Sequence, residues 1–280
     1  MVSSNKFIAN KTIMAEETIT KEQIYVVTTP DHFPEKGFDL ASLIANAHEK
    51  NVCFLYITKG KSDIEMANST LSSWCTQYQD KLKCSATYHI LEDDDDFTDF
   101  MERNEAAAVV FELSEKGVNK ECKNALNLCR QLRIPYYFIK SNQTPSFKRV
   151  LVPIGFLVEE KEKGVFCSGM GRIYHSEILL MTAKDYGSRA KQNTEEIQAL
   201  MDKQSLPYQF ITAEKDSFKV ELEAMKKVEE LNASLLMISA SRDYGMDDII
   251  FGPKEQKVIT KCTIPVMVIN PRKDLYALCT

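Results

Sequence analysis

GPKEQKVITKCTIPVMVIN, residues 252–270, is the stretch from which the fold can be read. The glycine–proline pair opens a helix, because proline is tolerated in a first turn where its missing N–H has no helical partner. Val258 and Ile259 are then placed to face a sheet. Pro265 stands at the first residue of a strand, where a missing donor is allowed. The run after it, VMVI, is apolar on both of its alternating faces, as a strand buried in a parallel sheet must be.

Outward from this stretch the same alternation fills the chain. Short runs rich in Val, Ile and aromatics lie at 149–154 (RVLVPI), 177–183 (EILLMTA), 207–213 (PYQFITA), 234–239 (SLLMIS) and 265–270 (PVMVIN). Five more precede them, at 24–29 (IYVVTT), 52–58 (VCFLYIT), 84–91 (CSATYHIL), 107–113 (AAVVFEL) and 135–140 (PYYFIK). Between the runs the apolar spacing is helical. Leu71, Trp74, Cys75, Tyr78 and Leu82 share one helix face, and Phe218, Leu222, Met225, Val228 and Leu231 share another. Strands alternating with helices imply right-handed crossovers and an open sheet covered on both sides.

The two halves overlay. Val52 falls on Glu177, an offset of 125, and Ile134-Pro135 falls on Ile264-Pro265, an offset of 130. A repeat this long is a duplicated domain. The expected fold class is therefore α/β: two tandem flavodoxin-like (Rossmann-like) units, each a five-stranded, mainly parallel sheet flanked by helices. The expected boundaries are an extension over 1–22, a first unit over 23–141, a second over 147–272 and a tail over 273–280. The polar linker SNQTPS, 141–146, leaves little slack, so the halves should pack on each other.

Composition narrows the function classes. In 280 residues with a net charge of -5, 35 Lys and Arg are interleaved with 40 Asp and Glu, and no basic stripe is present for a nucleic-acid backbone. The eight cysteines show no C-x-x-C or Cys/His ligand spacing, which reads as buried, reduced thiols. Cys122 and Cys129 are seven apart and share a helix face as packing partners. The first 20 residues lack an apolar core for a signal peptide, and no run approaches the 18 apolar residues of a membrane span. The expectation is a cytoplasmic protein with neither membrane nor nucleic-acid partner.

The second half opens with KRVLVPIGF, 148–156, and closes with FGPKEQKVITKCTIPVMVIN, 251–270. In these residues it resembles the universal stress protein family. Members begin with a strand of the type ILVPxD and close with a Gly-Ser turn, a short helix and a strand of the type CPVLVV. The resemblance covers both halves in outline. It implies that the last strands of the halves, Pro135–Lys140 and Pro265–Asn270, pair edge to edge in an internal pseudo-dimer.

Family members that bind ATP use G-x-x-G-x9-G-S/T after the fourth strand, where glycines let the backbone approach phosphates. Here Ile238 and Ser241 stand where the first two glycines would be, ten residues separate Ser241 from Gly252 instead of nine, and Pro253 replaces the hydroxyl residue. Gly155 stands where the ATP-binding relatives carry Asp. The first half reads Glu112-Leu113-Ser114-Glu115-Lys116-Gly117, two carboxylates that would repel phosphate.

Other signals are ordinary. Gly164, Ser168 and Gly171 form a small-residue helix face for close packing rather than a phosphate loop. The run EDDDD at 92–96 reads as a loop capping a helix over 97–102. The histidines are dispersed, and His32 lies near the carboxyl edge with no nucleophile placed beside it. The sequence therefore indicates a non-catalytic stress-response or adaptor protein with degenerate nucleotide loops, no cofactor and no metal. Its partners would be other proteins or further copies of the chain, with a small molecule as a further ligand of its clefts. The alternative is an adenine-nucleotide-binding protein, slowly hydrolysing, that uses the second cleft through Pro153, Ile154, Thr182, Ser239, Ser241 and Gly252.

Overall fold

The computed structural model describes residues 22–58, 63–92, 97–240 and 254–272. The first half supplies β1 (Ile24–Thr28), β2 (Val52–Ile57), β3 (Ala86–Leu91), β4 (Ala108–Leu113) and β5 (Tyr136–Lys140). The second supplies β6 (Arg149–Ile154), β7 (Glu177–Thr182), β8 (Tyr208–Thr212), β9 (Leu235–Ser239) and β10 (Val266–Ile269). Every strand lies within a run read from the sequence. All ten join one sheet in the order β3-β2-β1-β4-β5-β10-β9-β6-β7-β8. Each half is parallel throughout, and the seam between β5 and β10 is antiparallel.

The duplication is visible in the register. Ile24 pairs with Val52, and Arg149 pairs with Glu177, the same offset of 125 that aligns the sequences. At the seam Val266, Met267 and Val268 pair with Phe138, Tyr137 and Tyr136, the edge-to-edge pairing implied by the resemblance. Side chains lock it: Tyr136 Oη donates to Asn270 Oδ1 (2.9 Å), and Gln143 Nε2 donates to the Cys262 carbonyl (3.0 Å). The linker is thus anchored through the buried Gln143.

Helices cover both faces. On one lie α1 (Glu35–His48), α2 (Ile64–Tyr78), α5 (Lys163–Tyr174) and α6 (Arg189–Lys203). On the other lie α3 (Phe97–Arg103), α4 (Val118–Cys129), α7 (Val220–Lys227) and α8 (Lys254–Lys261). Leu71, Trp74, Cys75, Tyr78 and Leu82 pack on one face as their spacing requires. The second helical face differs from its reading: Phe218 precedes α7 and is 77% exposed, while Val220, Ala224 and Val228 are buried. Gly164 and Gly171 admit α6 and Leu206, since a Cβ would lie 3.3 Å from Ile197 and 3.1 Å from Leu206. Cys122 and Cys129 are fully buried on α4, and burial pushes the Cys122 thiol up to about 12.

α1 ends at Glu49 in the left-handed region (φ 53°), a conformation that disfavours any side chain. Glu49→Gly should therefore raise stability by about 1 kcal/mol, seen as a higher melting temperature. The extension over 1–21, the acidic residues 93–96, the second-half loop 241–253 and the tail 273–280 lie outside the described residues, and with them Ser241 and Gly252.

Candidate functional site

In each half the connections leave neighbouring strands in opposite directions at one point, β1/β4 in the first and β6/β9 in the second. Ligands of open α/β sheets bind at the carboxyl ends of such strands.

In the first half this point is an open cleft of about 770 Å³. Val27, Ile57, Phe111 and Leu128 give it an apolar floor, and Thr28, His32, Glu112, Ser114 and Glu121 line its polar side. Backbone N–H groups at its rim already hold carboxylates. The Gly37 N–H, in the first turn of α1, donates to Glu112 Oε2 (2.8 Å), filling the place where a helix N-terminus would take an anion. Glycine makes this approach easy, because a Cβ would lie 3.3 Å from the Glu112 Cβ. Burial pushes the Glu112 carboxyl up, against the pull of the Gly37 and Lys36 N–H groups and His32. After β4, Glu121 accepts the Ser114 N–H (2.7 Å) and hydroxyl (2.5 Å), and the Gly117 N–H donates to Ser114 Oγ (3.1 Å).

In the second half the sheet gathers four of the six expected nucleotide contacts. Ile154 of β6 pairs with Thr182 of β7, Pro153 precedes Ile154, and Ser239 ends β9 beside β6. Their polar atoms have internal partners. The Lys163 ammonium is fully buried and donates to the Pro153 carbonyl (2.6 Å) and to Glu160 Oε2 (2.8 Å). Glu160 also accepts the Gly155 N–H (3.0 Å). The Ser239 N–H donates to Glu221 Oε1 (3.2 Å), and Lys254 lies 3.1 Å from the same carboxylate, which raises its ammonium pKa. Thr182 shares a hydrogen bond with Thr194 (2.9 Å).

The loop after β6 is fastened at two further points. Asn193 Nδ2 donates to the Gly155 and Leu157 carbonyls (2.9 and 2.7 Å), and the Phe156 N–H donates to Ser217 Oγ (2.8 Å). Sequence reasoning missed Glu160, Lys163, Glu221 and Glu121. The only signal for the first two was the run EEKEK at 159–163, in the connection that follows β6.

No protein-family model and no curated protein matches the sequence. Solved structures do match in shape. A universal stress protein from Archaeoglobus fulgidus DSM 4304 superposes with a TM-score of 0.65 at 14% identity, over 91% of this chain and 99% of that one. The fold is that of the universal stress proteins. A protein of unknown function from Pseudomonas aeruginosa PAO1 matches with a TM-score of 0.62 at 12% identity, over 93% and 96% of the two chains. A candidate universal stress protein from Pseudomonas aeruginosa UCBPP-PA14 gives 0.62 at 11% identity, over 93% and 97%. Because both partners are covered nearly end to end, the universal stress protein likeness spans both halves and the seam. Among the described residues no helix is long and apolar enough to cross a membrane, and no three His, Cys, Asp or Glu are grouped to hold a metal ion.

Proposed function

We propose that the chain is a universal stress protein-type adaptor, non-catalytic, cytoplasmic and without a cofactor, whose own carboxylates stand where nucleotide phosphates would. The observation that carries this reading is Glu121, bonded to the N–H and hydroxyl of Ser114 in the loop after β4. Each carboxylate about 4 Å from a phosphate costs about 1–4 kcal/mol per charge pair, and Glu112 and Glu115 line the same cleft. The second cleft supports the reading through the buried Lys163–Glu160 pair.

An output through protein contacts is supported by the rim of the second half. Ser217 binds the Phe156 N–H and Asp185, which draws three loops together. These loops leave Leu157, Val158, Tyr186 and Phe218 exposed, and the Phe156 and Phe218 rings meet at 5.5 Å. Apolar groups grouped on one rim are typical of a contact surface.

The test is calorimetric titration of ATP-Mg²⁺ into the purified chain, with Gly252→Glu as control. No saturable heat at millimolar nucleotide is the expected result. Saturable binding abolished by the substitution would instead establish the adenine-nucleotide reading, with the site in the second half.

A further inference from the structure

On the face that carries α1 and α5, these two helices stand apart over the central seam and leave a second cavity of about 250 Å³. It lies away from both switch-point clefts. Ile24, Ala107 and Ala108 line it from the amino ends of first-half strands, and Tyr137 and Met267 from the paired seam strands. Both halves build it, so it exists only in the assembled pseudo-dimer.

Gly169 of α5 is part of the lining. Of the three glycines in α5, Gly164 and Gly171 sit tightly against neighbours, whereas a Cβ at Gly169 would meet nothing within 4 Å. Glycine is the least helix-favouring residue after proline, so its place in mid-helix opposes local stability. No close neighbour requires it there, and it leaves the pocket wall open.

The polar groups in the walls are His48, Lys50, Tyr137 and Tyr174. His48 packs its ring on Tyr174 (5.8 Å), and burial, then Lys50, lower its pKa. Burial holds the Tyr137 and Tyr174 phenols well above their ordinary value, so both keep their protons. Lys50, at the mouth, is ion-paired with Glu22.

We infer that this cavity binds a small neutral aromatic molecule of one or two rings carrying one hydroxyl or ring N–H group. About 150 Å³ suffices for benzene, so the space here fits a fused pair of rings. The apolar walls would take the rings, and Tyr174 with His48 the polar group.

Titration of 2-naphthol into the full chain, followed by saturation-transfer NMR, tests this. Saturable binding with a Kd on the order of 0.1–1 mM is expected for a ligand of this size. Gly169→Leu should weaken it at least about tenfold, as a side chain filling the space must, while the melting temperature stays equal or rises. Tyr174→Phe should weaken it several-fold, and the anion 2-naphthoate should bind less tightly than 2-naphthol. Absence of saturation at millimolar ligand, equal binding by Gly169→Leu, or tighter binding of the anion would each overturn the inference.

Discussion

Lys163→Met should cost the folded chain about 3–5 kcal/mol at neutral pH, the usual result of leaving a buried charge without its partner. The Lys163 side chain is fully buried and that of Glu160 is 9% exposed. Methionine keeps the length of the stem but withdraws the ammonium from Glu160 and from the Pro153 carbonyl. Water cannot replace it at a site this deep. The measurement is the urea midpoint at unchanged m-value. The double variant Lys163→Met with Glu160→Met should recover most of the loss, since a well-packed apolar pair often equals a buried ion pair. A single variant as stable as the parent would mean that the Gly155 N–H and Lys254 alone can carry the Glu160 charge.

The same substitution has a signed pH dependence. Burial raises the Glu160 pKa, but the Lys163 ammonium, then the Gly155 N–H and Lys254, outweigh it and hold the carboxyl below its ordinary range. A carboxyl depressed by folding contributes stability above its unfolded pKa, about 4.3, and loses it as pH falls through the folded value. In Lys163→Met burial prevails and the folded pKa rises, so the sign reverses. The variant is then penalised as pH rises above about 4.3. The gap between parent and variant should therefore narrow steadily from pH 7 to pH 4. A gap independent of pH would assign the loss to packing alone.

Strands were legible because parallel strands covered on both faces must be apolar at every position, as in LLMIS of β9, whose five residues are all buried. The offset between halves was legible for the same reason. Helix faces were less so: Phe218 has the right spacing but precedes α7, while Glu221 and Glu223 sit inside because they bind the Ser239, Glu214 and Lys215 N–H groups. The candidate sites were the least legible. Glu112 and Glu115 in the first half favoured the second cleft, yet what fills a cleft depends on side chains brought from elsewhere in the fold. Glu121 reaches back seven residues to Ser114 across a turn, and Glu160–Lys163 turns inward from a run that reads as solvated. Neither direction is encoded in local spacing.

Deleting residues 265–280 should abolish the soluble monomer. The deletion removes β10, whose Val266, Met267, Val268 and Ile269 are each at most 3% exposed. Each such side chain contributes about 1.5–3 kcal/mol of burial, against a total stability of about 5–15 kcal/mol for a typical domain. It also opens β5 and β9 as bare edges, with Tyr136, Tyr137, Phe138 and Ile139 uncovered on β5. Unpaired apolar edges are templates for association, so aggregates or edge-paired dimers are expected in size-exclusion chromatography. A gentler version keeps the chain whole. Val268 is fully buried and faces the shared core of α4 and α8, so Val268→Asp places a charge inside both halves at once. Amide exchange at Tyr136–Lys140, in the half that was not mutated, should accelerate along with exchange at β10. If β5 keeps its protection while β10 loses it, the halves unfold separately and the seam is a contact between two independent domains. If both lose protection together, the ten strands are one cooperative unit, and a ligand held at the seam would stabilise the entire chain.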